Sequence, residues 1–391
     1  MADDTKPVWA LSAAHLVTDL YSPVLPAILP LLIAEQGYSF LLAGLIVTVY
    51  NLTSSFLQPV AGWLYDNKGF AVHISITVLI SATFISIVGL LGNYCLIIAS
   101  VAIAAFGHAL FHPSALGTVS RLTRDAVRGR VTSYFVIGGN LGYALGPICA
   151  GVVVGLMGLP GLVVLAVPGI LMSAVLRRIL PPPDRREGAR PAAAPLARGS
   201  YRAIALVVAA SGLRAWAIFG SVAYLPTVLT LRGISLVTAN LLVSGMLVCG
   251  VVGQVVVGSL SDRYGRKDCT ILGLMAAIPP FLVFLAAGGA VSLVALMVFG
   301  FALWSTFAVS VAMAHEIAPA NVGLVSGLML GLSVGVGGLG VAFTGLISDL
   351  TSLEVGLVTI PLAIVLSVLL FLAVPYPWKS LSRGGSRSPI H

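Results

Sequence analysis

Long apolar runs dominate this chain, and their length limits what the chain can fold into. Breaking the 391-residue sequence at Gly, Pro and charge clusters leaves twelve apolar spans. A helix that crosses a bilayer needs roughly 20 apolar residues, whereas strands of a membrane barrel have about 10 residues of alternating polarity. Charged residues make up 9% of the chain, against about 25% in soluble domains. The sequence therefore predicts an all-α integral membrane protein with twelve transmembrane helices. The predicted spans are 8–34, 40–65, 71–91, 94–119, 131–157, 160–179, 202–231, 236–260, 270–288, 290–315, 322–348 and 354–375.

The chain also divides into two similar halves. Residues 180–200 are rich in Pro, Ala and Arg, which is typical of a linker. The predicted domains are a six-helix half 1–179, the linker 180–200, a second six-helix half 201–378 and a tail 379–391. The loop after span 2 and the loop after span 8 share the pattern Gly-x-x-x-Asp-x-x-Gly at an offset of 196 residues. Repeated six-span halves indicate a transporter with a site near the membrane midplane.

Lys and Arg residues predict the orientation. Nineteen of the 21 lie at the termini or in loops after even-numbered spans, and the exceptions are Arg214 and Arg232. Basic loops face the cytoplasm, so both termini and the linker are expected there, in a cytoplasmic (inner) membrane. Because topology accounts for the net charge of +8, no nucleic-acid partner is expected.

Two spans carry pairs of titratable residues at helical spacing. His15 and Asp19 share one face of span 1, and His108 and His112 share one face of span 4. At a rise of 1.5 Å per residue, Asp19 and His108 lie about 3 Å, and His15 and His112 about 9 Å, to the cytoplasmic side of the span centres. Three interpretations stay open, namely a proton-coupling cluster, interhelical hydrogen bonds that fix packing, and a transition-metal site.

Arg214 lies near the middle of span 7. A guanidinium at that depth needs a carboxylate or an anion as its partner. It is predicted to bind an anionic part of the substrate, with a permanent ion pair to Asp19 as the alternative.

These features resemble the major facilitator superfamily. The second loop, Gly258–Lys267, fits the family pattern fully, and the two halves surround a basic linker. Within the superfamily, the motifs around His15 and Asp19, Asn51–Pro59, Gly107–Pro113 and Gly138–Gly142 are similar to the fosmidomycin-resistance subgroup of efflux proteins.

The resemblance implies a fold of two pseudo-symmetric halves in which spans 1, 4, 7 and 10 line a central cavity. It also implies that span 5, with Gly146-Pro147, is similar to an antiporter motif. The implied cytoplasmic gate loops contain Asp66, Gly69, Asp262, Arg263, Gly265 and Arg266.

Further substrate contacts are predicted at Tyr21, Asn140, Tyr143 and Trp304. Glu316 is expected to be a solvated helix end, with a pair to a loop Arg near the inner gate as the alternative. The predicted function is a proton-driven antiporter that exports a small anionic or amphipathic compound, such as a drug, by alternating access. It is expected to act as a monomer, to need no cofactor beyond the proton gradient and not to be an enzyme. The main alternative is a carrier of a transition metal or metal chelate bound by His15, Asp19, His108 and His112, and a membrane-embedded enzyme or a channel is a further alternative.

Overall fold

The computed structural model describes residues 6–68, 72–123, 128–180 and 200–378. Within these ranges every regular element is helical, which confirms the predicted all-α class. Eleven helical segments are long and apolar enough to cross a bilayer, and the shorter apolar segment Ile74–Leu90 is the twelfth. The α-helices are α1 Lys6–Leu20, α2 Val24–Gln36, α3 Phe40–Lys68, α4 Ile74–Ser86, α5 Tyr94–Leu122, α6 Arg128–Met157, α7 Ala166–Ile179, α8 Ser200–Leu231, α9 Leu236–Tyr264, α10 Arg266–Ala286, α11 Gly289–Ile317, α12 Val322–Gly327, α13 Ser333–Leu350, α14 Leu353–Leu357 and α15 Thr359–Ala373.

The predicted spans map onto these helices in order. Span 1 is α1 with α2, spans 2 to 10 are α3 to α11, span 11 is α12 with α13, and span 12 is α14 with α15. A single-turn π-helix, Leu328–Leu332, joins α12 to α13. A 3-10 helix, Leu159–Leu165, leads into α7.

Span 1 differs from its prediction because it is broken. The sequence predicts one helix over 8–34, but α1 ends at Leu20 and α2 begins at Val24. Pro23 has no backbone N–H, so the carbonyl of Asp19 receives no i+4 hydrogen bond. At the break the Tyr21 amide donates to the Thr18 carbonyl instead, at 3.3 Å. The break therefore lies directly after Asp19.

Glycines of span 5 bring that helix against span 1. A Cβ added at Gly138, Gly142 and Gly146 would lie 2.5, 2.0 and 2.5 Å from carbonyl oxygens of span 1. Those oxygens belong, in the same order, to Ser12, Leu16 and Leu20. The residue numbers increase by four in both the glycines of span 5 and their partners in span 1, so the two spans run parallel. Their backbones are in contact. Small residues permit such close contact.

The described residues fall into two compact units whose borders do not follow the predicted halves. One unit contains residues 1–192, 219–244 and 338–357, and the other contains 193–218, 245–337 and 358–391. Segments of spans 7, 8 and 11 thus pack with the first six spans. The predicted domain boundaries at 179 and 201 stay a prediction.

Some predicted features lie outside the described residues. They are Gly69, the side chain of Asp66, most of the linker (181–199) and the tail 379–391.

Candidate functional site

His15 is held in a fixed orientation by span 5. Its Nδ1 lies 2.8 Å from the carbonyl oxygen of Phe135. Its ring stacks on the Phe135 ring with 4.1 Å between centroids, and Phe111 lies on another side at 5.7 Å. His15 is 7% exposed. These contacts with Phe135 and Phe111 fix the orientation of the His15 ring, so that Nε2 faces Asp19.

The pair formed by His15 and Asp19 holds one proton between its members. A carbonyl oxygen only accepts, so Nδ1 of His15 must carry a proton toward Phe135. The other nitrogen, Nε2, lies 3.1 Å from Oδ2 of Asp19. Without a second proton a lone pair would face the carboxylate there, which is repulsive. The contact is attractive with that proton on either Nε2 or the carboxyl group, and the pair is then electrically neutral.

The histidines of span 4 complete the cluster. Nε2 of His112 lies 3.6 Å from Oδ1 of Asp19 and 2.9 Å from Nε2 of His108. One of these two facing nitrogens donates and the other accepts. The rings of His15 and His112 are 5.1 Å apart, edge to face. The structure thus brings together all four titratable residues that the sequence singled out.

Several buried polar atoms at this cluster have no hydrogen-bond partner. Among the described residues, they include Oδ1 of Asp19 and Nδ1 of His108. The ring of the buried Tyr50 lies 5.5 Å from that of His108. An unpartnered buried polar group is unfavourable by about 1–3 kcal/mol, so these atoms are positioned to meet water, a proton or a ligand. Tyr50 is not among the residues predicted from the sequence, although it precedes a stripe of polar residues on span 2 (Asn51, Ser54, Ser55 and Gln58).

Gly139 of span 5 makes the room for the pair. A Cβ there would lie 2.4 Å from Nε2 of His15 and 2.7 Å from Oδ2 of Asp19. No larger residue fits without moving both side chains.

Three of the four cluster residues also fit a metal ion. Ligand atoms of His15, Asp19 and His112 lie within 4.8 Å of one another. The bond from His15 to Phe135 is the outer-shell contact that a metal-bound imidazole usually makes. His108 does not belong to this group of three.

The other residues predicted near the cluster differ in their positions. Tyr21 is fully buried, and its hydroxyl donates to the Leu165 carbonyl at 2.8 Å, so it packs span 1 against span 6. Tyr143 is partly buried and lies within electrostatic range of the Asp19 carboxylate. Asn140 is partly buried one helical turn earlier.

Arg214 lies in the other compact unit and is 1% exposed. Its Nη1 donates to the Thr306 carbonyl at 3.0 Å and to the Ser310 hydroxyl, and its Cζ lies 5.0 Å from the centre of the Phe307 ring. Its Nε is buried and has no hydrogen-bond partner. Among the described residues of this unit, the groups that contact its guanidinium are neutral. Trp304 is partly buried on span 10, and Gly250 of span 8 packs against it.

The loop between spans 8 and 9 forms a charged network with the end of span 10. Arg266 contacts Asp262 at 2.5 Å and donates through Nε to Glu316 at 3.1 Å. Tyr376 also donates to Glu316, and burial together with this carboxylate raises the pKa of Tyr376. The expectation that Glu316 is a purely solvated helix end is therefore wrong, although its side chain is 46% exposed, and the structure contains the alternative, a pair with a loop Arg.

Two further residues of this loop have local roles. Gly265 has a φ of 109°, which favours glycine and explains its place between α9 and α10. The guanidinium of Arg263 lies 5.4 Å from the centre of the Tyr264 ring.

Twelve apolar spans, a broken first helix and a partly enclosed set of titratable residues define a multi-pass membrane transporter. The sequence profile of the Major Facilitator Superfamily matches residues 11–338 and 215–390. The chain belongs to this superfamily, which confirms the predicted family, the fold class and the prediction that the chain is not an enzyme.

Individual relatives agree with this assignment. The chain is 30% identical over 360 residues to the "Fosmidomycin resistance protein" of Escherichia coli (strain K12), covering 88% of this chain and 87% of that protein. It is 26% identical over 377 residues to the "Uncharacterized MFS-type transporter YfnC" of Bacillus subtilis (strain 168), covering 93% and 91%. Among solved structures, a bacterial homologue of the human lysosomal transporter Spinster, inward-facing and occupied, has the same fold. Its TM-score is 0.80 at 15% identity, with 96% of this chain and 97% of that chain covered.

Proposed function

We propose that this transporter is a proton-coupled antiporter that exports a small anionic or amphipathic compound by alternating access. The pair of His15 and Asp19 supports this proposal most directly. With Nδ1 of His15 committed to the Phe135 carbonyl, the 3.1 Å contact to Asp19 needs one proton. Removal of that proton makes the contact repulsive, so the charge and the geometry of the pair change together. Such a group can couple a proton to a conformational change.

His112 and His108 extend the pair toward span 4. His112 lies 3.6 Å from the free oxygen of Asp19, and His108 follows at 2.9 Å. Each ring can accept a proton on one nitrogen and release it from the other. We propose that these two histidines pass the proton between the pair and water.

Arg214 is the proposed substrate anchor. A buried guanidinium whose partners among the described residues of its unit are neutral favours an anionic ligand, and carboxylate or phosphonate groups fit its donors. Tyr143, Asn140 and Trp304 are proposed as further substrate contacts. By linkage, a proton that weakens anion binding must itself be bound more weakly when the anion is present.

The substrate class and the cellular setting follow from similarity and charge. The name of the Escherichia coli relative refers to resistance to fosmidomycin, which supports export of a drug-like anion. The positions of Lys and Arg support a cytoplasmic membrane with both termini inside. We expect the single chain to be the transporting unit.

The test is flux in proteoliposomes with an imposed pH gradient. Purified protein is reconstituted with a panel of phosphonates, carboxylates and neutral hydrophobic drugs. Uphill movement of an anionic compound against the proton gradient supports the proposal. Flux that is saturable but indifferent to the pH gradient contradicts the coupling and indicates a uniporter.

A metal carrier is the second candidate, because His15, Asp19 and His112 meet within 4.8 Å. The two candidates differ in their requirement for Arg214. A divalent transition-metal ion needs the three ligands but no cation beside it, so Arg214→Gln leaves metal uptake intact. Anion export requires Arg214. Saturable uptake of Mn²⁺ or Zn²⁺ that is lost in His112→Gln and kept in Arg214→Gln favours the metal carrier.

A further inference from the structure

Asp349 of span 11 binds the first amides of span 2. Its Oδ1 accepts from the Phe40 amide at 2.7 Å, and its Oδ2 accepts from the Leu41 amide at 2.9 Å. All of these residues lie in one compact unit. Because both loops follow odd-numbered spans, the contact is predicted on the outer face of the membrane.

The chemistry of this contact suits a latch. The first amides of a helix have no partner within the helix, and a helix N-terminus attracts an anion. Ser39 caps only the Leu42 amide, at 3.3 Å. The amides of Phe40 and Leu41 therefore depend on a carboxylate more than 300 residues away in the sequence. Asp349 is exposed, so water can replace it when the contact opens.

Tyr224 of span 7 joins the same place from the inside. It is fully buried, and its hydroxyl donates to the Phe40 carbonyl at 2.8 Å. Two glycines make room for that hydroxyl, because a Cβ would lie 2.1 Å from its oxygen at Gly44 of span 2 and 2.3 Å at Gly345 of span 11. Deeper along the same contact, Thr48 donates to the Gly338 carbonyl at 2.7 Å. Spans 2, 7 and 11 are thus joined by both polar and close backbone contacts.

We propose that Asp349 and Tyr224 form the latch that closes this transporter on its outer face, by binding the first turn of span 2. The latch must open once in each cycle, so these residues set the rate at which the site is exposed to the outside. This proposal rests on the alternating access proposed above, but it does not require the proton coupling.

The test is labelling of a cysteine behind the latch. Val341 is fully buried beside Tyr224 and accepts a hydrogen bond only through its backbone, so Val341→Cys is a mild change. The four native cysteines are replaced first. A membrane-impermeant maleimide is then added outside intact cells, with and without substrate. We expect Asp349→Asn and Tyr224→Phe each to raise the labelling rate about fivefold.

Glu354→Gln is the matched control. Glu354 is an exposed carboxylate five residues further along the chain, and its loss should leave the labelling rate unchanged. Size-exclusion profiles check that each variant stays folded. Equal labelling rates in the parent, Asp349→Asn and Tyr224→Phe would overturn the latch, as would an equal rise in Glu354→Gln. If Val341→Cys reacts in no variant even with substrate present, alternating access at this seam is itself wrong.

Discussion

Asp19→Asn is the change that tests the proposed proton carrier. The asparagine has nearly the same shape as the carboxyl group, but it cannot take up or release a proton. In the structure it replaces one member of a pair that holds one proton over a 3.1 Å contact. Arg214 lies in the other compact unit and keeps its partners on span 10. Substrate binding should therefore survive while the coupling is lost.

The number of protons exchanged per substrate sets the size of the expected accumulation. If one proton is exchanged per substrate at this pair, a gradient of one pH unit stores about 1.4 kcal/mol and supports about tenfold accumulation. The assay uses proteoliposomes whose membrane potential is clamped at zero, so that the charge of the substrate does not contribute. The parent protein should reach about tenfold accumulation per pH unit, and Asp19→Asn should show none. Exchange of labelled for unlabelled substrate at equal pH should continue in the variant.

Glu35→Gln is the control, because Glu35 is an exposed carboxylate at the far end of the same span. It should accumulate substrate like the parent. Uphill accumulation that persists in Asp19→Asn would refute the assignment of the carrier. A parent accumulation near a hundredfold per pH unit would instead show that a second proton is carried elsewhere.

Three further changes have defined expectations. Gly139→Ala places a Cβ 2.4 Å from Nε2 of His15, so pH-driven transport should fall at least tenfold in proteoliposome flux. The temperature of thermal unfolding in detergent should shift little. The control Gly327→Ala, where a Cβ meets nothing within 4 Å, should transport normally. Arg214→Gln removes a buried charged donor and should raise the KM for an anionic substrate at least tenfold in initial-rate flux, and an unchanged KM would contradict its role as an anchor. Glu316→Gln removes a partly exposed partner of Arg266, and ion pairs of this kind contribute about 0.2–1 kcal/mol. The turnover rate should therefore change up to about fivefold in stopped-flow flux, and the KM should be unaltered.

The sequence was sufficient for the spans and for the four titratable residues of the candidate site. Apolar length alone located all twelve spans within a few residues, since a bilayer admits few other structures. Helical rise placed His15 and His112 at the same depth, and their rings are 5.1 Å apart. The glycines of span 5 pack on backbone oxygens of span 1, a close contact that their small size permits. These features follow from the length of the apolar runs and from helical spacing, both of which can be read from the sequence.

Other features depend on contacts between residues that are distant in the sequence. Nothing near Asp349 indicates that its carboxylate meets Phe40, and nothing near Glu316 indicates that Tyr376 donates to it. The tautomer of His15 also depends on a carbonyl of span 5, 120 residues away. Such pairings require the arrangement of the helices, which periodicity does not supply.

The break in span 1 explains the position of Tyr21, which the sequence predicts as a substrate contact. On an unbroken helix, Tyr21 would follow Asp19 along the same helix axis. The break lets its side chain turn into the bundle, where its hydroxyl meets the Leu165 carbonyl. Beyond the break, Ala27 of α2 accepts from Asn240 of span 8 at 3.1 Å. The titratable pair and this outer contact therefore lie on different helices, and Pro23 separates them. If Asp19 carries the proton, we expect a change in its charge to act on α1 without passing through a continuous helix to α2.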